Sequence, residues 1–345
     1  MAIETNITKM LGIKYPIIGA PMGPFYTTEL SIAVSEAGGL GVLSHTNLFG
    51  KSPIEEMKKN LTTVAEYTDK PFGFNIRTAR MQPDAPTLCR KIPKFIMENP
   101  KLRDQVKYVI TSAGTPKMLK TSAYKKLQEI SEIKHFHVAP ALWLTDKCVD
   151  AGVDGLVVTG TEGGGHQSYE KVSTLVLLQQ VIQKYPDIPI IACGGFATGQ
   201  GLAAALSMGA GAIAMGSRFI ASKDSEFHDN YKNIVPAAKA QDTVLVTGMF
   251  GPIRLWKNKY ALSHDLVADK EAKKAQEASM TAEELVKKLK NGELAYKGDI
   301  ENGSILLGQS IGIINSIESV PNIINTIVSE AEKCIKTANA LVNYS

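Results

Sequence analysis

The sequence is short of cysteines in useful arrangements. Cys89, Cys148, Cys193 and Cys334 lie far apart and form no CxxC pair, which argues against a disulfide framework or a zinc site and leaves reduced, buried thiols. Long hydrophobic runs are missing as well. No stretch approaches the roughly 18 apolar residues that a membrane span needs, so no membrane partner is expected. The opening MAIETNITKMLG has no basic region followed by an apolar core, and a cytoplasmic address is expected. Charge of one sign is also absent. The 38 basic and 34 acidic residues leave a formal net charge of +4, without the clustered basic stripe of a nucleic-acid binder. Charges alternate through 270–290, as on a solvated helical face. What is present, 44% hydrophobic against 21% charged residues, is the balance of a globular protein with two modest domains or one large barrel carrying an insertion.

Short apolar runs bounded by turn formers predict eight strands. They are Tyr15–Gly19, Gly39–Ser44, Pro71–Ile76, Tyr108–Ser112, His135–Ala139, Gly155–Gly160, Pro189–Cys193 and Ala212–Ser217. Helix-period segments separate most of them: Thr27–Glu36, Pro53–Thr68, Pro116–Ile130, Trp143–Ala151, Val172–Lys184 and Gly199–Met208. Thr87–Gln105 reads as a helix broken by Pro93 and Pro100. Strands that are apolar on both faces belong to a parallel sheet covered by helices. Eight βα units in about 220 residues fit a (β/α)8 TIM barrel, with an open doubly wound sheet as the alternative. After Ser222 the alternation stops. Residues 223–302 read as a mostly helical, strongly charged insert or lid over one barrel mouth, contributing to a substrate pocket. Residues 303–345, with a long helix from Pro321 to Val342, are expected to return to the barrel formed by 1–222.

In such barrels the chemistry sits at the C-terminal strand ends. Gly194-Gly195 closes the seventh predicted strand ahead of a helix at Gly199, and Gly216-Ser217 closes the eighth. Glycine lets backbone N–H groups approach a phosphate, a helix N-terminus adds partial positive charge, and a serine hydroxyl can donate. These two strand ends are where this fold holds phosphates, so an anion cradle is expected, with simple tight turns as the alternative. Gly163-Gly164-Gly165-His166 follows the sixth strand. Such a loop can lie flat against a planar ligand and present one imidazole, whose ordinary pKa near 6.5 suits proton transfer. His135 and His137 fall within a strand, at least one of them core or lining; His45 is a weaker candidate for the same mouth. His228 and His264 fall in the insert, where solvated positions are expected.

No strand ends in a lysine able to form a Schiff base. Glu162 is essentially the only carboxylate at the expected mouth, too little for a metal site or a two-carboxylate glycosidase. No GxGxxG follows the first strand. A phosphate-anchored cofactor with one histidine is the remaining pattern. A non-redox barrel that binds a phosphorylated metabolite would use the same cradle.

The segments Ala20-Pro21-Met22, AVSEAGGLGVLS, KPFGFNI, GTEGGGH and PIIACGGFATGQGLAAALSMGAGAIAMGSRF resemble the FMN-dependent nitronate monooxygenase family. That family includes FMN-type enoyl-acyl-carrier-protein reductases and NAD(P)H:quinone reductases. The resemblance implies a TIM barrel, bound FMN, a small-molecule substrate and a homodimer. It also implies that Ala20, Pro21 and Met22 run beside the flavin, with Asn75, Ser112, Thr159, Gly164 and Gly165 as further contacts. Gly194, Gly195, Gly216 and Ser217 would hold the phosphate, and His166 would be the catalytic histidine. Two positions depart from the pattern: Gly163 replaces the alanine of Glu-Ala-Gly-Gly-His, and Thr159 stands where many members carry Gln or Glu. The resemblance implies oxidation of alkyl nitronates with oxygen through reduced FMN as the first expectation, with enoyl or quinone reduction by a nicotinamide as the alternative. The segments FHDNYKNIVPAAKAQDT and GDIENGSILLGQSIGII look nearer to the reductase members.

Overall fold

The computed structural model describes residues 3–248, 251–266, 271 and 290–342. The strands, in chain order, begin with β1 (Ile17–Gly19), β2 (Gly41–Leu43), β3 (Phe72–Arg77), β4 (Val106–Ser112), β5 (Lys134–Ala139) and β6 (Gly155–Thr159). A two-residue strand, β7 (Gly165–His166), precedes β8 (Ile190–Cys193) and β9 (Ala212–Met215). All eight strands expected from the sequence are present. They form one parallel sheet in the order β1-β9-β8-β6-β5-β4-β3-β2. The two ends meet: Gly19 N–H donates to Leu40 O at 2.9 Å and Leu40 N–H to Ile17 O at 3.0 Å. With helices between the strands, this is a (β/α)8 TIM barrel.

Alternate residues of each strand point inward, and the barrel is filled by Ile18, Val42, Tyr108, Ile110, Phe136, Val157, Ile191 and Ala214. Large and small residues interdigitate there. The Tyr108 and Phe136 rings lie 5.1 Å apart, and a Cβ on Gly155 would fall 2.1 Å from Phe136 Cε1. The N-terminal end is closed by a helix, Asn6–Leu11, whose Ile7 and Leu11 join this interior cluster.

Pro93 does not break its helix. Ala85–Glu98 runs through it, and the second helix starts at Pro100. Proline cannot donate to the carbonyl four residues earlier, but the Thr121 hydroxyl donates to Cys89 O at 3.1 Å in its place. The C-terminal helix, Val320–Asn339, packs Ile323, Ile327, Val328 and Ala331 into the main core against the helix Gly199–Ser207.

Of the region 223–302, residues 223–248, 251–266, 271 and 290–302 are described. They contain an antiparallel hairpin, β10 (Thr243–Gly248) and β11 (Gly251–Trp256), and β11 pairs with β7. Thr243, Val244, Val246 and Thr247 supply the β-branched residues that favour a strand. Short helical turns flank it at Asp229–Ile234 and Lys259–Leu262. Most of the expected charged helix, 267–270 and 272–289, lies outside the described residues. Among the described residues, no helix is long and apolar enough to cross a membrane.

Candidate active site

A cavity of about 580 Å³ opens at the C-terminal ends of the barrel strands, within the roughly 300–1,000 Å³ usual for small-molecule and cofactor sites. Every residue that the resemblance implied for the site lines it, while Glu162 and His45 do not: Ala20, Pro21 and Met22 come from the end of β1, Asn75 and Ser112 from β3 and β4, and Thr159 from β6. Gly164, Gly165 and His166 come from the loop after β6, Gly194 and Gly195 follow β8, and Gly216 and Ser217 follow β9.

The wall at β8 and β9 is built from backbone. Gly194 and Gly195 have φ of 86° and 89°, a region that side chains with a Cβ avoid. A Cβ on Gly194 would also fall 3.0 Å from Gly163 N, whereas Gly195 faces open space, with Glu162 Cβ 3.8 Å away. Gly216 precedes the short helix Ser217–Ile220. Ser217 Oγ accepts the Gly308 N–H at 3.0 Å, which leaves its own O–H to donate. The longer helix at Gly199 does not add its first N–H groups to this cradle. Gly199 N–H donates to Glu330 Oε2 at 3.1 Å, and Gly201 N–H donates to Thr198 Oγ1. That helix end is capped by the C-terminal helix, and among the described residues the helix start left at the cradle is the short turn at Ser217.

His166 is held by sheet rather than by a free loop. It pairs with Ile253, and Gly165 pairs with Arg254. Gln167 N–H donates to Pro252 O at 2.8 Å. Arg254 locks the hairpin to the barrel by donating through Nε to Thr161 O at 2.6 Å, and ties the two hairpin strands together through Nη1 to Thr243 Oγ1 at 3.0 Å. Glu162 is not an open carboxylate, because it caps the helix Thr174–Lys184 by accepting from Thr174 N–H at 2.8 Å and Thr174 Oγ1 at 3.0 Å. Gly163 has a local reason. A Cβ there would fall 2.8 Å from both Gln167 Nε2 and Thr159 Oγ1, so these side chains occupy the room an alanine would need.

On the wall formed by β1, β3 and β4, Met22 N–H donates to Ser44 Oγ at 2.8 Å, and Asn75 Nδ2 donates to Ile110 O at 2.9 Å and Ser112 Oγ at 3.2 Å. Cys193 closes β8 on the cavity wall, and burial raises its thiol to about 11. That leaves it protonated and poorly nucleophilic at neutral pH.

The other histidines are elsewhere. His135 and His137 are fully buried behind the sheet, both hydrogen-bonded to Thr111 Oγ1. Burial pulls His135 well below its ordinary value and His137 to about 3. His45 is also buried: its Nδ1 accepts the Arg77 N–H at 3.0 Å, which places its proton on Nε2, 2.9 Å from Asp84 Oδ2. Burial lowers His45 despite Asp84, so this contact joins a neutral imidazole to a carboxylate. His228 accepts the Asn230 N–H at a helix start, and His264 packs on Tyr260.

Sequence reading missed several cavity residues: Arg77, Trp143, Lys147, Tyr231 and Ser310. Arg77 had a signal, since it lies two residues beyond Asn75 on the same face of β3. Ser310 and Gly308 reach the cavity only because the tail folds back, with Gln309 N–H donating to Glu162 O at 2.8 Å.

Residues 4–330 match the family profile described as nitronate monooxygenase. The (3aS,4S,5R,7aS)-5-hydroxy-7a-methyl-1-oxo-octahydro-1H-indene-4-carboxyl-CoA dehydrogenase of Mycobacterium tuberculosis is 30% identical, across 99% of this chain and 100% of its own length. A probable nitronate monooxygenase of Staphylococcus saprophyticus is 28% identical, across 75% of this chain and 80% of its own. The solved structure of FabK from Thermotoga maritima superposes with a TM-score of 0.79 at 31% identity, covering 99% of this chain and 100% of that one. The chain therefore belongs to the nitronate monooxygenase family and is a flavin-dependent oxidoreductase.

Proposed function

We propose that this chain is an FMN-dependent reductase that uses a nicotinamide to reduce an α,β-unsaturated acyl thioester. One observation carries the choice. Part of the cavity wall is formed by Phe227 and Tyr231 and by Leu306, Gly308 and Ser310, and these belong to the two segments that look nearest to the reductase members. A relative that matches along nearly the whole chain is named as a carboxyl-CoA dehydrogenase, which supports an acyl thioester as the substrate class.

The residues present suit FMN. Gly194, Gly195, Gly216 and Ser217 would hold its phosphate, in a cradle that a Cβ on Gly194 would obstruct. Ala20–Met22, Asn75, Ser112, Thr159, Gly164 and Gly165 would line the rest. Bound FMN supplies hydride exchange between nicotinamide and substrate. His166 supplies the proton that the carbon–carbon double bond takes up alongside the hydride, and the hairpin β10–β11 holds the imidazole in place. Residues 223–302 cover the substrate side through Phe227, Tyr231 and Pro252.

Nitronate oxidation with oxygen is the second reading, favoured by an imidazole and a buried guanidinium, Arg77, in one cavity, a pairing suited to a small planar anion. An anaerobic assay separates the two. The protein should bleach with NADH or NADPH and regain its yellow colour on addition of an enoyl thioester. Bleaching by an alkyl nitronate but by neither nicotinamide would overturn the reductase reading.

A further inference from the structure

We propose that Arg77 is an oxyanion receptor, binding a carboxylate-like, planar two-oxygen group of the substrate on the cavity wall across the barrel from the glycine cradle. In the closed order of strands, β3 stands four places from β8, so the two walls face each other across the mouth. The proposal rests on the cavity being the substrate site; a nitronate presents such a group itself, whereas an enoyl thioester would have to carry a separate carboxylate.

Three observations converge. First, Arg77 lines the cavity, and its Nε is buried without a hydrogen-bond partner. Nη2 donates to a neutral acceptor, Asn47 Oδ1, at 2.9 Å. Second, the carboxylate that acts on it electrostatically, Asp84, is already engaged by His45 and by Gln82 Nε2 at 2.5 Å. Burial on its own would raise Asp84; these hydrogen bonds outweigh it and keep the carboxylate ionised. Third, the arginine is fixed from behind, because its own N–H donates to His45 Nδ1 at 3.0 Å.

A guanidinium keeps its charge even here, since burial lowers it only to about 10. Leaving such a charge buried and incompletely paired is strongly unfavourable. A planar anion removes that penalty through charge-assisted bonds to the guanidinium fork, whose geometry matches two coplanar oxygens. A tetrahedral phosphate matches that fork too, but it would come from a bulky carrier, and the buried Nε favours a group at the compact, reacting end of a substrate.

The test uses the FMN-loaded protein. Wild type, Arg77→Lys and Arg77→Gln are titrated by calorimetry with acetate and, separately, with inorganic phosphate. Acetate should bind wild type more tightly than phosphate does. Binding should weaken at least tenfold in Arg77→Gln, in keeping with the loss of hydrogen bonds to a charged group. Arg77→Lys should fall between, because it keeps the charge and loses the fork. Flavin content and the visible spectrum should not change. Equal acetate affinity in wild type and Arg77→Gln, or no acetate binding by wild type, overturns the proposal. Tighter phosphate binding assigns the residue to a carrier phosphate instead, and flavin loss or a shifted spectrum assigns it to the cofactor. Should the Gln variant not fold, the Lys variant carries the comparison. Bleaching by nicotinamide is read independently, so failure here is distinguishable from failure of the reductase reading.

Discussion

The cavity has two unlike walls. The one at β8 and β9 offers backbone: Gly194 and Gly195 at positive φ, Gly216, and a serine hydroxyl held by the returning tail. The one at β3 offers a side chain, Arg77, which donates to Asn47 Oδ1 and whose backbone N–H donates to His45, itself paired with Asp84 outside the cavity lining. A backbone wall is fixed by covalent geometry and responds to the bulk of a substitution. A side-chain wall is fixed by hydrogen bonds between ionisable groups and responds to pH and to charge. The first suits a cofactor that stays; the second suits a ligand that comes and goes.

The largest expected effect comes from breaking the backbone wall. Gly194→Val places a branched side chain at φ 86° and against Gly163 N, so the protein should lose its flavin. The flavin-to-protein absorbance ratio after gel filtration checks this, and a fully yellow variant would contradict it. His166→Ala lies between the walls. It should keep the flavin and lower turnover by about 10²–10⁴, the usual range for a lost general acid.

The buried histidines outside the cavity lining predict a pH response. His45, His135 and His137 are lowered by burial, so the unfolded chain binds more protons than the folded one in acid. Their stabilisation is complete above an unfolded value of about 6.5 and is lost as pH falls, for His137 down to about 3. Each contributes up to about 1.4 kcal/mol per pH unit in that window. Urea unfolding at pH 7 and at pH 5 should show a clearly lower midpoint at pH 5; equal midpoints would show that these imidazoles are not buried and neutral. The smallest effect is expected at Gly195→Ala. The methyl meets nothing closer than 3.8 Å, leaving backbone strain of about 1 kcal/mol and flavin affinity weakened by about tenfold or less.

The two walls also differ in how far the sequence announces them. Glycines at strand ends are local signals, because a tight turn or a close backbone approach calls for them wherever the rest of the chain goes; Gly165, Gly194 and Gly195 sit at positive φ, and Gly216 does not. Gly163–His166, Gly194-Gly195 and Gly216-Ser217 were readable for that reason, as were the eight strands. Arg77, His45 and Asp84 carry no such mark. Their meaning comes from hydrogen bonds between groups 32 and 39 residues apart in sequence. The hairpin behind His166 was hidden by its charged surroundings, although Thr243–Gly248 is rich in β-branched residues. The capped helix at Gly199 was hidden because its cap, Glu330, lies 131 residues away.

The most direct test is the crystal structure of the FMN-loaded protein. The phosphate should lie between the ends of β8 and β9, within hydrogen-bond distance of the Gly195 N–H and the Ser217 hydroxyl. A phosphate bound instead against Arg77 would reverse the roles of the two walls and contradict the account.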